Sequence, residues 1–160
     1  MKRIGLAVAL AMGLTLPGYV AAKISSDVTP GANFSQYQTF TFANAVPPAG
    51  MDPVAYERIR MAVEQGLTGR GFTKAAEGDL TVIITLGAQN RTDIDTWGVF
   101  GRQVDVRQYT EGQLSVDVFD TKTKQPLWHG KATDTVGSSL NPEKIDKEVA
   151  KLMAQFPPRA

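Results

Sequence analysis

The stretch Asp79-Leu-Thr-Val-Ile-Ile-Thr-Leu86 decides the fold, because its apolar residues occupy both faces of a strand. The even-numbered positions from Leu80 to Leu86 are apolar and share one face, and Ile83 interrupts the otherwise polar second face. Apolar residues on both faces are typical of a strand in the middle of a sheet. We therefore predict a central strand over Leu80–Leu86.

Three further segments have the composition of strands. Asn33–Phe42 mixes aromatic and β-branched residues with polar ones, and Gly112–Asp120 and Pro126–Val136 alternate apolar and polar positions. The short segment Thr121–Gln125 joins the last two as a hairpin loop. These patterns predict strands on either side of the central one.

Two helices are marked by the same start signal. Asp52-Pro53 and Asn141-Pro142 each combine an N-cap residue with a proline at the first helical position. The first predicted helix covers Val54–Arg70, and the second begins after Asn141 and ends before Pro157, which excludes the helical conformation from the preceding residue. Apolar side chains recur along one face of the second helix at Ile145, Val149, Leu152, Met153 and Phe156.

The order of these elements predicts an α+β fold, with two helices packed on one face of a mixed, mainly antiparallel sheet of about four strands. Ala88–Thr110 lacks helical periodicity, and we predict a long loop there. The segment 23–160 contains no internal repeat, and its length fits a single domain.

Residues 1–22 have the pattern of a secretory signal peptide. Lys2 and Arg3 precede an uncharged run from Ile4 to Leu16, and small residues follow up to Ala22. The run is shorter than the roughly 17–25 residues that a membrane-spanning helix needs. We predict cleavage after Ala22, a periplasmic or secreted location, and no transmembrane segment in the mature chain.

Charge and cysteine content exclude several classes of protein. Cleavage would remove Lys2 and Arg3 and take the formal net charge from +1 to −1, whereas a nucleic-acid-binding protein is usually basic. The chain has no cysteine, so disulfides and thiolate chemistry are excluded. No cofactor motif is present, and we expect no cofactor.

Several motifs follow one another in a characteristic order along the chain. They are Asn33-Phe34, Tyr37-Gln-Thr39-Phe40-Thr-Phe42, Gly71-Phe72, Asp79-Leu80, Glu111-Gly112-Gln-Leu114-Ser-Val116-Asp117, Trp128-His-Gly130 and Phe156-Pro157-Pro158. Together they resemble the bacterial domain-of-unknown-function family 4136, whose members are mostly described as envelope lipoproteins. The resemblance implies an envelope location and no known activity. This chain departs from many relatives in lacking the cysteine that carries the lipid.

The predicted loop contains the candidate interaction surface. Trp97 and Phe100 lie among glycines and are followed by Arg102, Arg107 and Tyr109, and such an aromatic tip flanked by cations resembles a contact surface. The alternative is a β-hairpin arm whose Trp97 and Phe100 fold back onto the sheet. Asp117 joins the candidate surface because it faces away from its apolar neighbours on a predicted strand.

Two weaker patterns have structural explanations. Ser115, Asp117 and His129 supply the residue types of a hydrolase triad, but no nucleophile elbow or known spacing accompanies them, and we expect His129 to face solvent or a rim. Asp93 and Asp95 are spaced to bind a hard cation such as calcium, yet further ligands are lacking and turn or solvated aspartates are favoured.

These observations favour an exported, non-enzymatic accessory or binding protein that holds an envelope partner. The alternative is a carrier of a small apolar ligand or lipid in a pocket between helices and sheet, lined by Met61, Met153 and aromatic side chains. A hydrolase around His129 is the third hypothesis.

The signal peptide yields a direct prediction about the mature chain. In a bacterial host the exported protein should begin at Lys23, because the small residues up to Ala22 suit the peptidase. Intact-mass measurement of the exported form checks this. Recovery of a folded chain that still carries Met1 would contradict it.

Overall fold

The structure of the protein, a computed structural model, describes residues 23–43, 46–47, 51–97, 103–135 and 141–159. Within these residues the strands are β1 (Lys23–Val28), β2 (Thr39–Phe42), β3 (Thr73–Lys74), β4 (Leu80–Trp97), β5 (Gln103–Asp120) and β6 (Pro126–Thr135). Helix α1 (Pro53–Gly69) lies between β2 and β3, and helix α2 (Pro142–Met153) follows β6. Among the helices described, none combines the length and the apolarity needed to cross a membrane.

All six strands form one mixed sheet in the order β1-β6-β5-β4-β2-β3. β2 runs parallel to β3 and β4, and the other neighbouring pairs are antiparallel. The prediction of an α+β fold with two helices and a mixed sheet is confirmed. The predicted number of about four strands is wrong, because β1 and β3 were not recognised.

The predicted loop over Ala88–Thr110 is also wrong for the residues described. β4 and β5 each span 18 residues, and their antiparallel register continues unbroken from Leu80 opposite Asp120 to Trp97 opposite Gln103. Threonine, isoleucine and valine recur through this segment and favour extended backbone, although their arrangement gives no clean apolar face. Residues 98–102, between the strands, lie outside the described part.

The first predicted strand is shorter than the sequence pattern indicated. Phe34–Gln36 forms a 3-10 turn, and only Thr39–Phe42 is a strand. The Asn33 side chain accepts a hydrogen bond from the Ser35 amide at 3.1 Å, which favours the turn over extended backbone. The last predicted strand ends at Thr135, and Val136 is outside the described residues.

Both helices begin where their caps predicted. Asp52 Oδ1 accepts from the Val54 amide at 2.8 Å, and Asn141 Oδ1 accepts from the Glu143 amide at 3.0 Å. These bonds satisfy amides that have no partner within the helix. Beyond α1, Gly71 has a φ of +94°, which lets the chain reverse into β3.

Buried side chains from both helices and from alternate strand positions belong to one hydrophobic cluster. Phe156, just after α2, is its centre: its ring lies 5.2 Å from that of Phe34, 5.6 Å from Phe72 and 5.1 Å from Trp128, each in edge-to-face geometry. Such pairs add about 0.5–1.5 kcal/mol each beyond the area that they bury. The cluster thereby ties the C-terminal segment to three distant parts of the chain.

The two helices approach each other closely at Gly66. A Cβ atom at this position would lie 2.5 Å from Cβ and 2.7 Å from Cγ of Met153 on α2. Because Met153 Cβ is attached directly to the backbone, it cannot swing aside. Glycine is therefore required for the observed separation of α1 and α2.

Replacing Gly66 with alanine should destabilise the protein by about 1–3 kcal/mol, because the clash outweighs the better helix propensity of alanine. Gly69 is the matched control: a Cβ atom there would meet nothing within 4 Å, so Gly69→Ala should be neutral or stabilise by up to about 1 kcal/mol. Urea unfolding of both variants measures the difference. Equal stability of the two variants would disprove the close approach.

Candidate functional site

The face of the sheet opposite to the buried strand positions carries polar residues from three strands, and we call it the polar face (Asp27, Ser115, Asp117, His129 and Lys131). Strand register places Asp27 of β1 opposite His129 of β6, and His129 opposite Asp117 of β5. Directly opposed residues in an antiparallel sheet lie on the same face. The sheet thus aligns an imidazole between two carboxylate positions.

Asp117 and His129 are in direct contact. Their Oδ1 and Nδ1 atoms are 2.6 Å apart, and their side chains are 28% and 45% exposed, respectively. Their position explains this exposure, since Trp128 and Val118, on the opposite face of the same strands, are buried in the core. The expectations that His129 faces solvent and that Asp117 points away from the core are both confirmed.

Ser115 does not complete a hydrolase triad with this pair. Ser115 is buried, its hydroxyl accepts a hydrogen bond from Gln113 Nε2 at 3.3 Å, and the residue opposite Ser115 on β6 is Lys131 rather than His129. Ser115 also lies within a regular strand instead of the sharp turn that exposes a nucleophile. Ser115 therefore does not act as the nucleophile of a triad with the pair of Asp117 and His129.

The described residues contain no group of three or more histidine, aspartate or glutamate side chains arranged to hold a metal ion. Asp93 and Asp95 lie within β4, and the register places Arg107 opposite Asp93. The calcium hypothesis gains no support from this arrangement.

Beyond the polar face, β4 and β5 continue as a two-stranded arm (90–97 and 103–110). Pairing of β5 with β6 ends at Glu111, and pairing of β4 with β2 ends at Val82. Among the described residues the arm strands therefore pair only with each other. At about 3.3 Å per residue, eight residues extend the arm by roughly 26 Å.

The register also relates the arm to the candidate surface. Positions 97, 107, 109 and 117 are all odd-numbered, and the register between β4 and β5 is unbroken. Because side chains alternate between the two faces of a sheet, all four positions lie on one face. Trp97, Arg107 and Tyr109 thus belong to a hairpin rather than a loop, and Phe100 and Arg102 lie outside the described residues. Sequence reasoning missed the pairing of Asp117 with His129, because strand register cannot be read from one sequence.

The pocket suggested for an apolar ligand is not formed by the residues proposed for it. Met153 is buried against Gly66, whereas Met61 is 54% exposed and lies on the outer surface of α1. There Met61 and the exposed Val54 line an open groove along α1. Arg58 and Asp146, which form an ion pair at 2.9 Å, also line this groove. The two methionines belong to different environments.

Two other carboxylates at the far end of the β4–β5 ladder have structural roles. Asp79 Oδ2 accepts from the Gln38 amide at 3.0 Å and from the amide and hydroxyl of Thr39 at 3.1 and 3.0 Å. These backbone hydrogen bonds lower the pKa of the Asp79 carboxyl below its ordinary value of 3.8. Asp79 therefore joins β2 to the start of β4.

Asp120, the last residue of β5, accepts hydrogen bonds at the same end of the ladder. Its Oδ1 accepts from the amides of Lys122 and Thr123 at 2.8 and 2.9 Å, and its Oδ2 accepts from the Tyr37 hydroxyl at 2.9 Å. The Thr123 amide is the main cause of the lowered pKa of Asp120, and burial followed by the Asp120 contact raises the pKa of Tyr37. Asp120 therefore stabilises the start of the hairpin loop between β5 and β6.

Replacing Asp79 with asparagine should reduce the free energy of unfolding by about 1–2 kcal/mol at neutral pH, because charge-assisted hydrogen bonds are lost. Because the pKa of Asp79 is lower in the folded state, its carboxylate stabilises the fold at pH values above the unfolded-state pKa. This stabilisation is lost as the pH falls through the folded-state pKa. The deficit should therefore shrink below pH 3.8, the ordinary pKa of the group. Urea unfolding across this range measures it.

Asp146→Asn is the control for this prediction. Asp146 forms an exposed surface ion pair with Arg58, and such pairs contribute little. Its replacement should change stability by less than about 0.5 kcal/mol. A deficit in Asp79→Asn that stays constant from neutral pH to acid would show that the charge of Asp79 is not involved.

The family comparison covers nearly all of the described chain. A family model described as Domain of unknown function (DUF4136) matches residues 24–158. No curated protein sequence matches the chain.

Three solved structures have a similar fold. A DUF4136 family protein from Bacteroides thetaiotaomicron VPI-5482 has a TM-score of 0.59 at 14% identity, covering 84% of this chain and 95% of that one. A PDZ domain protein from Parabacteroides distasonis ATCC 8503 has a TM-score of 0.59 at 18% identity, with 85% of this chain but only 35% of that longer chain covered. A PelC dodecamer from Paraburkholderia phytofirmans has a TM-score of 0.50 at 14% identity, covering 87% and 99%. At these identities the likeness extends to the fold alone.

Proposed function

The chain belongs to the DUF4136 family, whose function is unknown, and we propose that it is an exported, non-enzymatic binding module that holds a cell-envelope partner. The proposed module is a single domain over residues 23–160, located in the periplasm or secreted after cleavage near Ala22. Both helices cover one face of its sheet, and the partner is held by the arm and the polar face. The signal-peptide pattern and the near-neutral charge support this proposal.

The arm is the observation that carries the proposal. A two-stranded ribbon is marginally stable by itself, because it lacks a third strand or a helix to cover its apolar residues. Ile94 lies opposite Val106 on one face of the ladder, and Trp97 and Tyr109 occupy positions on the other. Apolar residue types on both faces of such a ribbon favour a partner that covers one of them.

The polar face supplies the complementary polar contacts in this proposal. Positions 97, 107 and 109 of the arm continue the face that carries Asp117. The half-exposed pair of Asp117 and His129 offers both hydrogen-bond acceptors and donors. We therefore retain the six residues Trp97, Phe100, Arg102, Arg107, Tyr109 and Asp117 as the proposed interaction surface.

One observation favours the alternative function, a carrier of a small apolar ligand or lipid. Val54 and Met61 are 74% and 54% exposed, and both line the groove on the helical side. This groove is open and shallow, whereas small-molecule sites usually enclose most of their ligand. A hydrolase has the least support, because the Ser115 hydroxyl accepts from Gln113 and lies opposite Lys131 instead of His129.

Site-specific photocrosslinking in intact cells tests the binding proposal. A photoreactive phenylalanine analogue in place of Trp97 should give a discrete crosslinked product of higher mass, because the arm would contact the partner. The same analogue in place of Gln65, an exposed residue of α1, is the control and should give no such product. Equal labelling at both positions, or none at position 97, would contradict the proposal.

A further inference from the structure

We propose that β1 pairs with β1 of a second copy of this chain, forming an antiparallel two-fold dimer with one continuous sheet. β1 is at one edge of the sheet, and the other edge is the two-residue strand β3. Within the described ranges, β1 pairs only with β6. A six-residue strand with an unpaired side is a template for a further strand.

The hydrogen bonds of β1 identify which backbone groups are free for pairing. The Thr29 amide donates to the Leu127 carbonyl at 2.9 Å, and Thr29 continues the register that pairs Val28 with Trp128. Hydrogen-bonded pairs alternate along an antiparallel ladder, so odd-numbered residues of β1 bond to β6. The amide and carbonyl groups of Ile24, Ser26 and Val28 consequently point away from the sheet.

β1 lacks several of the features by which proteins usually block such an edge. It contains no proline, its register with β6 is regular without a bulge, and its two central residues are the small polar Ser25 and Ser26. Its two charged residues, Lys23 and Asp27, have opposite signs and lie near opposite ends. Two antiparallel copies of β1 therefore attract rather than repel each other.

The pattern of β1 is self-complementary, which favours a second copy over an unrelated strand. In a register centred on Ser26, each Ile24 lies opposite Val28 of the other copy, so all outward-pointing backbone groups can bond. Val28 is 46% exposed in this structure and lies opposite the buried Trp128, and the pairing would cover the Val28 side chain of each copy. In the same register Lys23 lies diagonally across from Asp27.

Ser26→Pro is the decisive variant. Proline removes only the outward amide of residue 26 and leaves the bonds to β6 intact, so the monomer fold is retained, as for prolines on natural edge strands. Ser26→Ala keeps the amide and serves as the control. In sedimentation velocity of the processed, purified protein, the wild type and Ser26→Ala should form a reversible dimer, and Ser26→Pro should weaken it at least tenfold.

Charge variants provide a second test if the proline variant does not fold. Lys23→Asp and Asp27→Lys should each weaken the dimer several-fold, and the double variant should restore it, because the opposite charges are exchanged. A wild type that stays monomeric at 100 µM, or a dimer that Ser26→Pro leaves unchanged, would overturn the proposal. A larger ring that is insensitive to Ser26→Pro would also overturn it, since pairing of β1 with itself closes at two copies.

Discussion

The register of β4 against β5 is the constraint on which the rest of the structure depends. Side chains alternate between the two faces of a strand, so a slip by one residue would move Val82 and Ile84 out of the core and replace them with threonines and Ile83. The same register that buries Val82 sets Asp117 opposite Ile83 on the polar face and carries the alternation into the arm. Core, polar face and arm are thus determined by one set of backbone hydrogen bonds.

The parts of the fold that could be predicted are those with a strong local signal. Both helices were recognised because a cap, a proline and an apolar stripe coincide, as at Asp52-Pro53. β1 was missed because Lys23–Val28 has only two apolar residues and owes its conformation to pairing with β6. For Ala88–Thr110 the sequence left a loop and a β-hairpin arm open, because this segment shows no regular alternation of apolar and polar residues.

The candidate site was predictable only in its individual residues. Alternation along β5 and β6 correctly placed Asp117 and His129 away from the core. Their contact depends on which residue of β5 lies opposite which residue of β6, and that follows from a hairpin register with an irregularity near Val118. The choice between a loop and a hairpin arm for Trp97 stayed open for the same reason, since pairing with Gln103 is a property of two segments together.

The stabilising hydrogen bonds of Asp79 and Asp120 and the proposed binding surface lie at opposite ends of the β4–β5 ladder. Asp79 and Asp120 accept hydrogen bonds at the end of the ladder where β4 begins and β5 ends. Phe156, which follows α2, packs against the rings of Phe34 and Trp128. The arm begins ten residues farther along β4, where within the described part of the chain neither β2 nor β6 pairs with the ladder. Among the described residues the arm strands pair only with each other, so the pairing that fixes the core does not fix the residue types of the arm. This separation leads us to expect that members of one family keep the fold while the identity between their sequences is low.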